Sequence, residues 1–335
     1  MQLLRKITFP ISLVYALVVS LRNYLFDIGI FKTKAYQMPI ICVGNLSAGG
    51  TGKTPMIEYL VSFLKMNHQI AVLSRGYRRK STGFVLAHPG SDAEELGDEP
   101  FQIYSKFPGI SVAVDADRQE GIQFLTEKVR PDIILLDDAF QHRKVTAGFN
   151  ILLTTYDLPY SSDWYLPTGN LRDGIGQAKR ANLIIVTKCP SILTPDERKG
   201  MQDRLKPKVH QKVLFSCLSY GLPTSPTRET KSLDFFKGKT LTLVTGIADP
   251  APLIDHLSLA GLTFDHARFK DHHYFSEQEL KMLNSKPMVL TTEKDYMRLQ
   301  GKVEGLFYIP VEHHFLDNDG EVLEREVRDC MKRDF

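Results

Sequence analysis

The sequence is sparing with cysteine. Its 335 residues contain four, Cys42, Cys189, Cys217 and Cys330, far apart and with no C-x-x-C pair. That spacing excludes a dense disulfide framework and a four-thiolate zinc site, and it fits a reducing compartment. Net charge is also low, +3 from 42 basic and 39 acidic side chains, so composition gives no argument for a nucleic-acid partner. Glycine (23) and proline (18) stay at ordinary usage, which excludes a fibrous or largely disordered chain. There is no internal repeat and no low-complexity tract. What is present is ordinary globular material, 43% hydrophobic and 24% charged, long enough for about two domains that bury a core without staples.

The first forty residues differ from the rest. Residues 7–21 (ITFPISLVYALVVSL) are uncharged, and residues 1–40 hold five basic side chains against one acid, Asp27. Fifteen residues including Pro10 fall short of the about 20 that a spanning helix needs. A signal peptide would need an A-x-A-like site, and none follows. Two compatible readings stay open for residues 1–35: a basic-flanked apolar helix lying in a membrane interface, or a helix packed on the domain behind it.

Beyond residue 36, short Val/Ile/Leu runs alternate with helical patterns. PIICVG (39–44), QIAVLS (69–74), ISVAVD (110–115), DIILLDD (132–138), ILLTTY (151–156) and NLIIVTK (182–188) predict buried strands. KTPMIEYLVSFLKM (53–66) has the apolar spacing of a helix, with Pro55 in its first turn. The pattern predicts an α/β fold with a mainly parallel sheet flanked by helices. Composition turns polar at 221–235, expected to be a linker between a core unit (36–220) and a smaller α/β unit (236–335) with strands at 241–247, 287–292 and 306–311.

Residues 44–54, GNLSAGGTGKT, end a predicted strand and open a predicted helix, the context that a phosphate-binding P-loop requires. Backbone amides of Gly49, Gly50, Thr51, Gly52 and Lys53 can wrap a β-phosphate; Lys53 adds charge near the β/γ oxygens, and Thr54 offers a hydroxyl to Mg²⁺. Ser47 stands where the motif usually has glycine and can itself donate to phosphate. DIILLDDAFQH (132–142) supplies Asp137-Asp138 at a strand's carboxyl end, where a carboxylate can bind Mg²⁺. Gln141 and His142 follow immediately, facing the crevice or serving the fold. Weaker candidates are Asp98 and Glu99 in GDEP (97–100), Arg75 in a basic loop after a strand, Arg172 and Asp173 in LPTGNLRDG (166–174), and His272 or His273 beside Asp271. A guanine-specific site is excluded, because Thr187-Lys188-Cys189-Pro190 puts proline where [NT]-K-x-D needs its carboxylate.

Taken in order, GNLSAGGTGKT, LSRGY (73–77), GDEP, DDAFQH, LPTGNLRD, TGIADP (245–250), DHHYF (271–275) and TTEKD (291–295) resemble the tetraacyldisaccharide 4′-kinases of lipid A synthesis over roughly residues 1–315. The resemblance implies a two-domain P-loop kinase at the cytoplasmic face of the inner membrane. Such an enzyme moves the γ-phosphate of ATP to the 4′-hydroxyl of an acylated glucosamine disaccharide 1-phosphate, forming lipid IVA. It further implies nucleotide and Mg²⁺ roles for Lys53 and Thr54, with Asp137 as a Mg²⁺ ligand and Glu99 as a second candidate. Asp98 becomes the base at the sugar hydroxyl, assisted by Asp138 and a histidine of the DHH stretch, His272 in preference to His273. Arg172 neutralises phosphoryl charge, and Arg75, Gln141, His142 and Asn170 are substrate candidates. Departures are Ala139 for the usual glycine, Asn170 and Asp173 in place of the more common PLRE pattern, and TGIADP for an AGIGNP-like stretch. Asp173 is one methylene shorter than glutamate, which weakens it as a metal ligand. The rival reading is a partitioning-type ATPase switch that binds membranes; those proteins carry lysine where this chain has Ala48.

Overall fold

The computed structural model describes residues 7–333; Arg5 and Lys6 of the basic flank, and the last two residues, lie outside them. After helix α1 (Phe9–Asp27) come β1 (Ile40–Asn45), α2 (Lys53–Leu64), β2 (Ile70–Ser74), β3 (Val85–Leu86), α3 (Ala93–Leu96) and α4 (Asp98–Lys106). Next are β4 (Ser111–Val114), α5 (Arg118–Lys128), β5 (Ile133–Asp137), β6 (Phe149–Thr155), β7 (Leu183–Thr187), α6 (Pro195–Leu205) and β8 (Lys212–Tyr220). The remainder is β9 (Thr242–Thr245), α7 (Ala251–Leu259), β10 (Asp265–Arg268), α8 (Glu277–Asn284), β11 (Val289–Thr292), α9 (Glu293–Leu299), β12 (Leu306–Ile309), β13 (Val311–Phe315) and α10 (Asp319–Met331).

Nine strands form one sheet in the order β13-β8-β7-β6-β1-β5-β2-β4-β3, parallel except at its two edges. Each expected apolar run of the core unit became one of its strands, buried on both faces by helices. On one face, Ile57, Leu60 and Val61 of α2 and Leu323 and Val327 of α10 pack on Ile41, Val43 and Leu135; on the other, Ile122 and Leu125 of α5 pack on Leu73 and Leu136. Truncating one such side chain, Leu60→Ala for example, costs about 2–5 kcal/mol. The chain leaves β1 toward β2 on one side and reaches β6 on the other. A crevice therefore opens at the carboxyl end of β1, between β5 and β6.

A second, four-stranded parallel sheet runs β10-β9-β11-β12. The single run expected at 306–311 is cut at Pro310: β12 stays in the small sheet, whereas β13 pairs antiparallel with β8 of the large one. Residues 236–335 are therefore not one smaller unit, since β13 and α10 return to the large sheet. The physical reason is local. Proline lacks the N–H that would continue one ladder, and Val-Glu-His-His-Phe alternates as an edge strand should. The expected linker is not slack, for Gly221 N–H donates to Pro310 O at 2.9 Å and Thr224 N–H to Tyr308 O at 2.8 Å.

Helix α1 extends past the charge-free run to Asp27, and its 19 residues are long and apolar enough, by length and composition, to cross a membrane. It is inverted relative to a packed helix. Ser12 and Asn23 are buried, while Ile11, Val14, Leu17 and Leu21 are more than half exposed. Ser12 Oγ donates to Thr168 Oγ1 at 2.8 Å, Tyr15 Oη to Arg172 O at 3.0 Å and Asn23 Nδ2 to Asp173 Oδ1 at 2.6 Å. All four cysteines are free.

Candidate active site

The loop 46–52 links β1 to α2, and Gly52 caps the helix in a left-handed conformation (φ +84°) with no side-chain cap. The first-turn amides therefore have no intrahelical partner and point outward with the positive end of the helix dipole. Ser47 needs no glycine: it is not among the left-handed residues, and its backbone bridges Leu171. Ala48 N–H donates to Asn170 O, so the P-loop is laced to the 166–174 loop. Asn45 Nδ2 donates to Thr51 Oγ1 at 2.9 Å, and Thr187 Oγ1 to Thr51 O at 2.9 Å.

Opposite the loop, β5 ends in Asp137-Asp138. Arg172 clasps Asp138 with both ends of its fork, Nη1 to Oδ2 at 3.0 Å and Nη2 to Oδ1 at 2.7 Å, and also donates to Asn45 Oδ1. Lys53 Nζ lies 3.8 Å from the same carboxylate. Burial raises the Asp138 carboxyl, but Lys53 and Arg172 outweigh it and hold it below the usual range. Asp137 behaves oppositely. Burial, then the Glu99 and Asp138 charges, push it up to about 7, and although Oδ2 accepts from Ser74 Oγ at 2.9 Å, Oδ1 is buried without a partner. An orphaned carboxylate oxygen, with the Glu99 and Asp138 charges near enough to be felt, fits a hard divalent cation. Asp138 itself adopts φ +47°, a strained conformation of the kind that clusters at functional sites.

A second focus forms where α4 meets the small sheet's α9. Gly97 caps α4 at φ +90°, and a Cβ there would sit 3.0 Å from Tyr77 O, so only glycine presents Asp98 at the first position of the helix. Asp98 is buried against His272 (Nδ1 to Oδ2, 2.8 Å) and Arg298, whose Nε donates to Oδ1 at 2.8 Å and whose Nη2 reaches Oδ2. Lys294 Nζ donates to His272 Nε2 at 3.0 Å, which leaves the Nδ1 hydrogen for Asp98. Burial raises the Asp98 carboxyl, and the bonds from His272 and Arg298 bring it below its ordinary value. His273 is turned away, against Glu279 at 3.0 Å.

Matched against a protein-family model, residues 4–331 fit LpxK, tetraacyldisaccharide-1-P 4′-kinase. The chain belongs to this family. The tetraacyldisaccharide 4′-kinase of Flavobacterium johnsoniae is 47% identical over 324 residues, 95% of either chain, and that of Bacteroides thetaiotaomicron is 38% identical over 351, with 97% of this chain and 92% of that one covered. Among solved structures, the apo-form LpxK from Aquifex aeolicus in complex with ATP superposes with a TM-score of 0.79 at 30% identity, covering 98% of this chain and 99% of that one. The kinase thus has the P-loop, mainly parallel architecture read from its sequence.

The kinase gathers Lys53, Asp137, Asp138 and Arg172 at one focus and Asp98 with His272 at the other, with Glu99 on the Asp137 side. Arg75 stands exposed at the end of β2. Gln141 and His142 face structural partners: Gln141 Nε2 donates to Asn45 O, and Arg22 donates to Gln141 O. His142 is driven down to about 4, mostly by burial. Asp173 is fully buried and receives Asn23, so it anchors α1. Sequence reasoning missed Asn45, Ser74, Lys294 and Arg298. The i, i+4 spacing of Lys294 and Arg298, beginning within TTEKD, is the signal that could have placed both on one helix face.

Proposed function

We propose that this kinase transfers the γ-phosphate of ATP to the 4′-hydroxyl of an acylated glucosamine disaccharide 1-phosphate, working at a membrane surface. The observation that carries the chemistry is the convergence of Lys53 and the Arg172 fork on Asp138, next to an open helix N-terminus. Phosphoryl transfer through a loose transition state is mostly positioning and charge neutralisation. The amides of Gly49 through Thr54 bind the phosphates, Lys53 and Arg172 neutralise the transferring group, and Ser47 borders its path. Thr54 and Asp137, with Glu99 nearby, would hold Mg²⁺, which supplies charge neutralisation to the β- and γ-oxygens when bound. Asp98 accepts the hydroxyl proton. Its basicity is modest, but in a loose transition state the proton leaves late, so a well-aimed carboxylate suffices. His272 holds that carboxylate in orientation, and Arg298 and Lys294 hold the pair.

Membrane association rests on α1, whose apolar side chains face outward while its polar ones grip the protein. The flanking basic residues Lys32 and Lys34 suit an anionic surface. An apolar recess of about 440 Å³ between α1 and the 161–175 loop, lined by Phe9, Leu13, Ala16, Trp164 and Ile175, suits an acyl chain. Residues Arg75, Gln141, His142 and Asn170 keep a substrate role in this reading through the loops they stabilise or border. The test is transfer of label from γ-labelled ATP to an acylated disaccharide 1-phosphate in mixed micelles. Label in the lipid extract is expected; label recovered only as free phosphate would favour the ATPase switch.

A further inference from the structure

His313 belongs to no motif, yet it touches the phosphate loop. It lies on β13, is 7% exposed, and its Nε2 is 2.9 Å from Gly52 O, 261 residues away. Its Nδ1 is 2.9 Å from Ser216 Oγ on β8. A carbonyl only accepts, so Nε2 carries the hydrogen and Ser216 donates to Nδ1, fixing one neutral tautomer. Burial keeps the ring neutral by pushing it down to about 4. The fit is close: a Cβ on Gly52 would stand 3.0 Å from His313 Nε2 and 3.1 Å from Cε1.

The direction of that bond matters because the peptide is planar and trans. In such a unit, the carbonyl of one residue and the N–H of the next point opposite ways. Gly52 O accepts from Met56 N–H at 3.1 Å in the helix's first turn and from His313 on its β13 side, and holding it there turns Lys53 N–H the opposite way, toward the crevice. Thr187 does the same one residue earlier, holding Thr51 O and so aiming Gly52 N–H. A bonded carbonyl also polarises its own amide and strengthens that N–H as a donor. We propose that His313 is a positioning residue of the phosphate loop, holding the Gly52 carbonyl so that the Lys53 amide faces the nucleotide phosphates. β12 ends at Ile309 and β13 begins at Val311, so the last strand of the small sheet is continuous, through Pro310, with the strand that steadies the loop.

This inference rests on the ATP reading above and deepens it. Its test is equilibrium binding of a non-hydrolysable ATP analogue with Mg²⁺ to the full chain, paired with the acceptor KM in micelles. His313→Ala should weaken analogue binding about five- to tenfold, the worth of one net hydrogen bond, since Gly52 O keeps Met56 N–H, with acceptor KM unchanged. His313→Gln should restore most of it, since an amide can donate to Gly52 and accept from Ser216. Ser216→Ala, which frees the tautomer without touching the loop, should weaken binding about two- to threefold. Wild-type affinity in His313→Ala, no rescue by glutamine, or an acceptor KM rising in step would overturn the inference. If His313→Ala does not fold, unchanged affinity in Ser216→Ala overturns it. Loss of binding in Lys53→Ala but not in His313→Ala would sink this inference alone; retention in both would sink the ATP reading with it.

Discussion

His272 Nδ1 lies 2.8 Å from Asp98 Oδ2, a contact between the small sheet's loop and the first residue of α4, 174 positions apart in sequence. His272 holds φ +60° to make it. If the two act as one unit, their effects will not add. Asp98→Ala should lower kcat by about 10²–10⁴-fold with ATP-analogue affinity unchanged. His272→Ala should cost less, and the double variant should match Asp98→Ala. A double loss equal to the product of the single losses would mean that the residues work independently. A large drop in nucleotide affinity would make Asp98 a metal ligand instead.

Asp137 gives a pH signature. Burial, Glu99 and Asp138 raise it to about 7, so near neutrality much of it is protonated in the absence of cation. Mg²⁺ binds the carboxylate and not the acid, so binding should expel a proton and tighten as pH rises from 6 to 8. Calorimetry of Mg²⁺–analogue binding in two buffers of different ionisation heat reads this release directly. Asp137→Asn should bind weakly and lose the pH dependence. Proton uptake, or tighter binding at low pH, would remove Asp137 from the metal site.

Between α2, α4 and α9, Lys106 Nζ serves two buried carboxylates, Glu58 at 2.7 Å and Glu293 at 3.2 Å. Burial and the Glu58 charge raise Glu293 to about 7; burial also raises Glu58, with Lys106 opposing and Glu312 adding to the rise. The native pair thus binds protons more tightly than the unfolded chain does. Stability from this site falls as pH climbs from the ordinary glutamate range to about 7, the reverse of a depressed carboxylate. Glu293→Gln should remove that slope, raising the melting temperature at pH 8 by a few degrees while changing it little at pH 5.5. Thermal melts at both values decide it. Equal shifts at the two pH values would mean that the second carboxylate is fully charged and compensated throughout.

Legibility followed sequence distance. The P-loop and Asp137-Asp138 were readable because each is one short stretch with its own local geometry, and the central strands because burial on both faces leaves unbroken apolar runs. β8 and β13 were not, since the edge strand β13 and its half-buried neighbour β8 mix exposed and buried positions and dilute that signal. Nor could Arg298 be matched to Asp98, or His313 to Gly52, across more than 190 positions of chain, where only tertiary packing makes the contact. Gln141 and His142 show the converse: adjacent to the acid pair in sequence, they turn toward Asn45 and a buried corner.

The same distinction governs α1, where an apolar stretch was obvious and its inward polar seam was not. That inversion separates two jobs that deletion of residues 1–25 would merge. Val14, Leu17 and Val18 are at least 60% exposed and lie outside the recess, so replacing all three by serine should abolish co-sedimentation with anionic phospholipid vesicles and leave the melting temperature unchanged. Asn23 faces inward, and Asn23→Ala strips Asp173 of its 2.6 Å donor in a fully buried site, costing about 1–3 kcal/mol. That variant should still bind vesicles. Arg172, the next residue, reaches Asp138, so Asn23→Ala should also lower kcat more than acceptor affinity. If the triple serine variant sediments with vesicles as wild type does, the outward face is not the membrane contact, and the attachment must lie elsewhere on the surface.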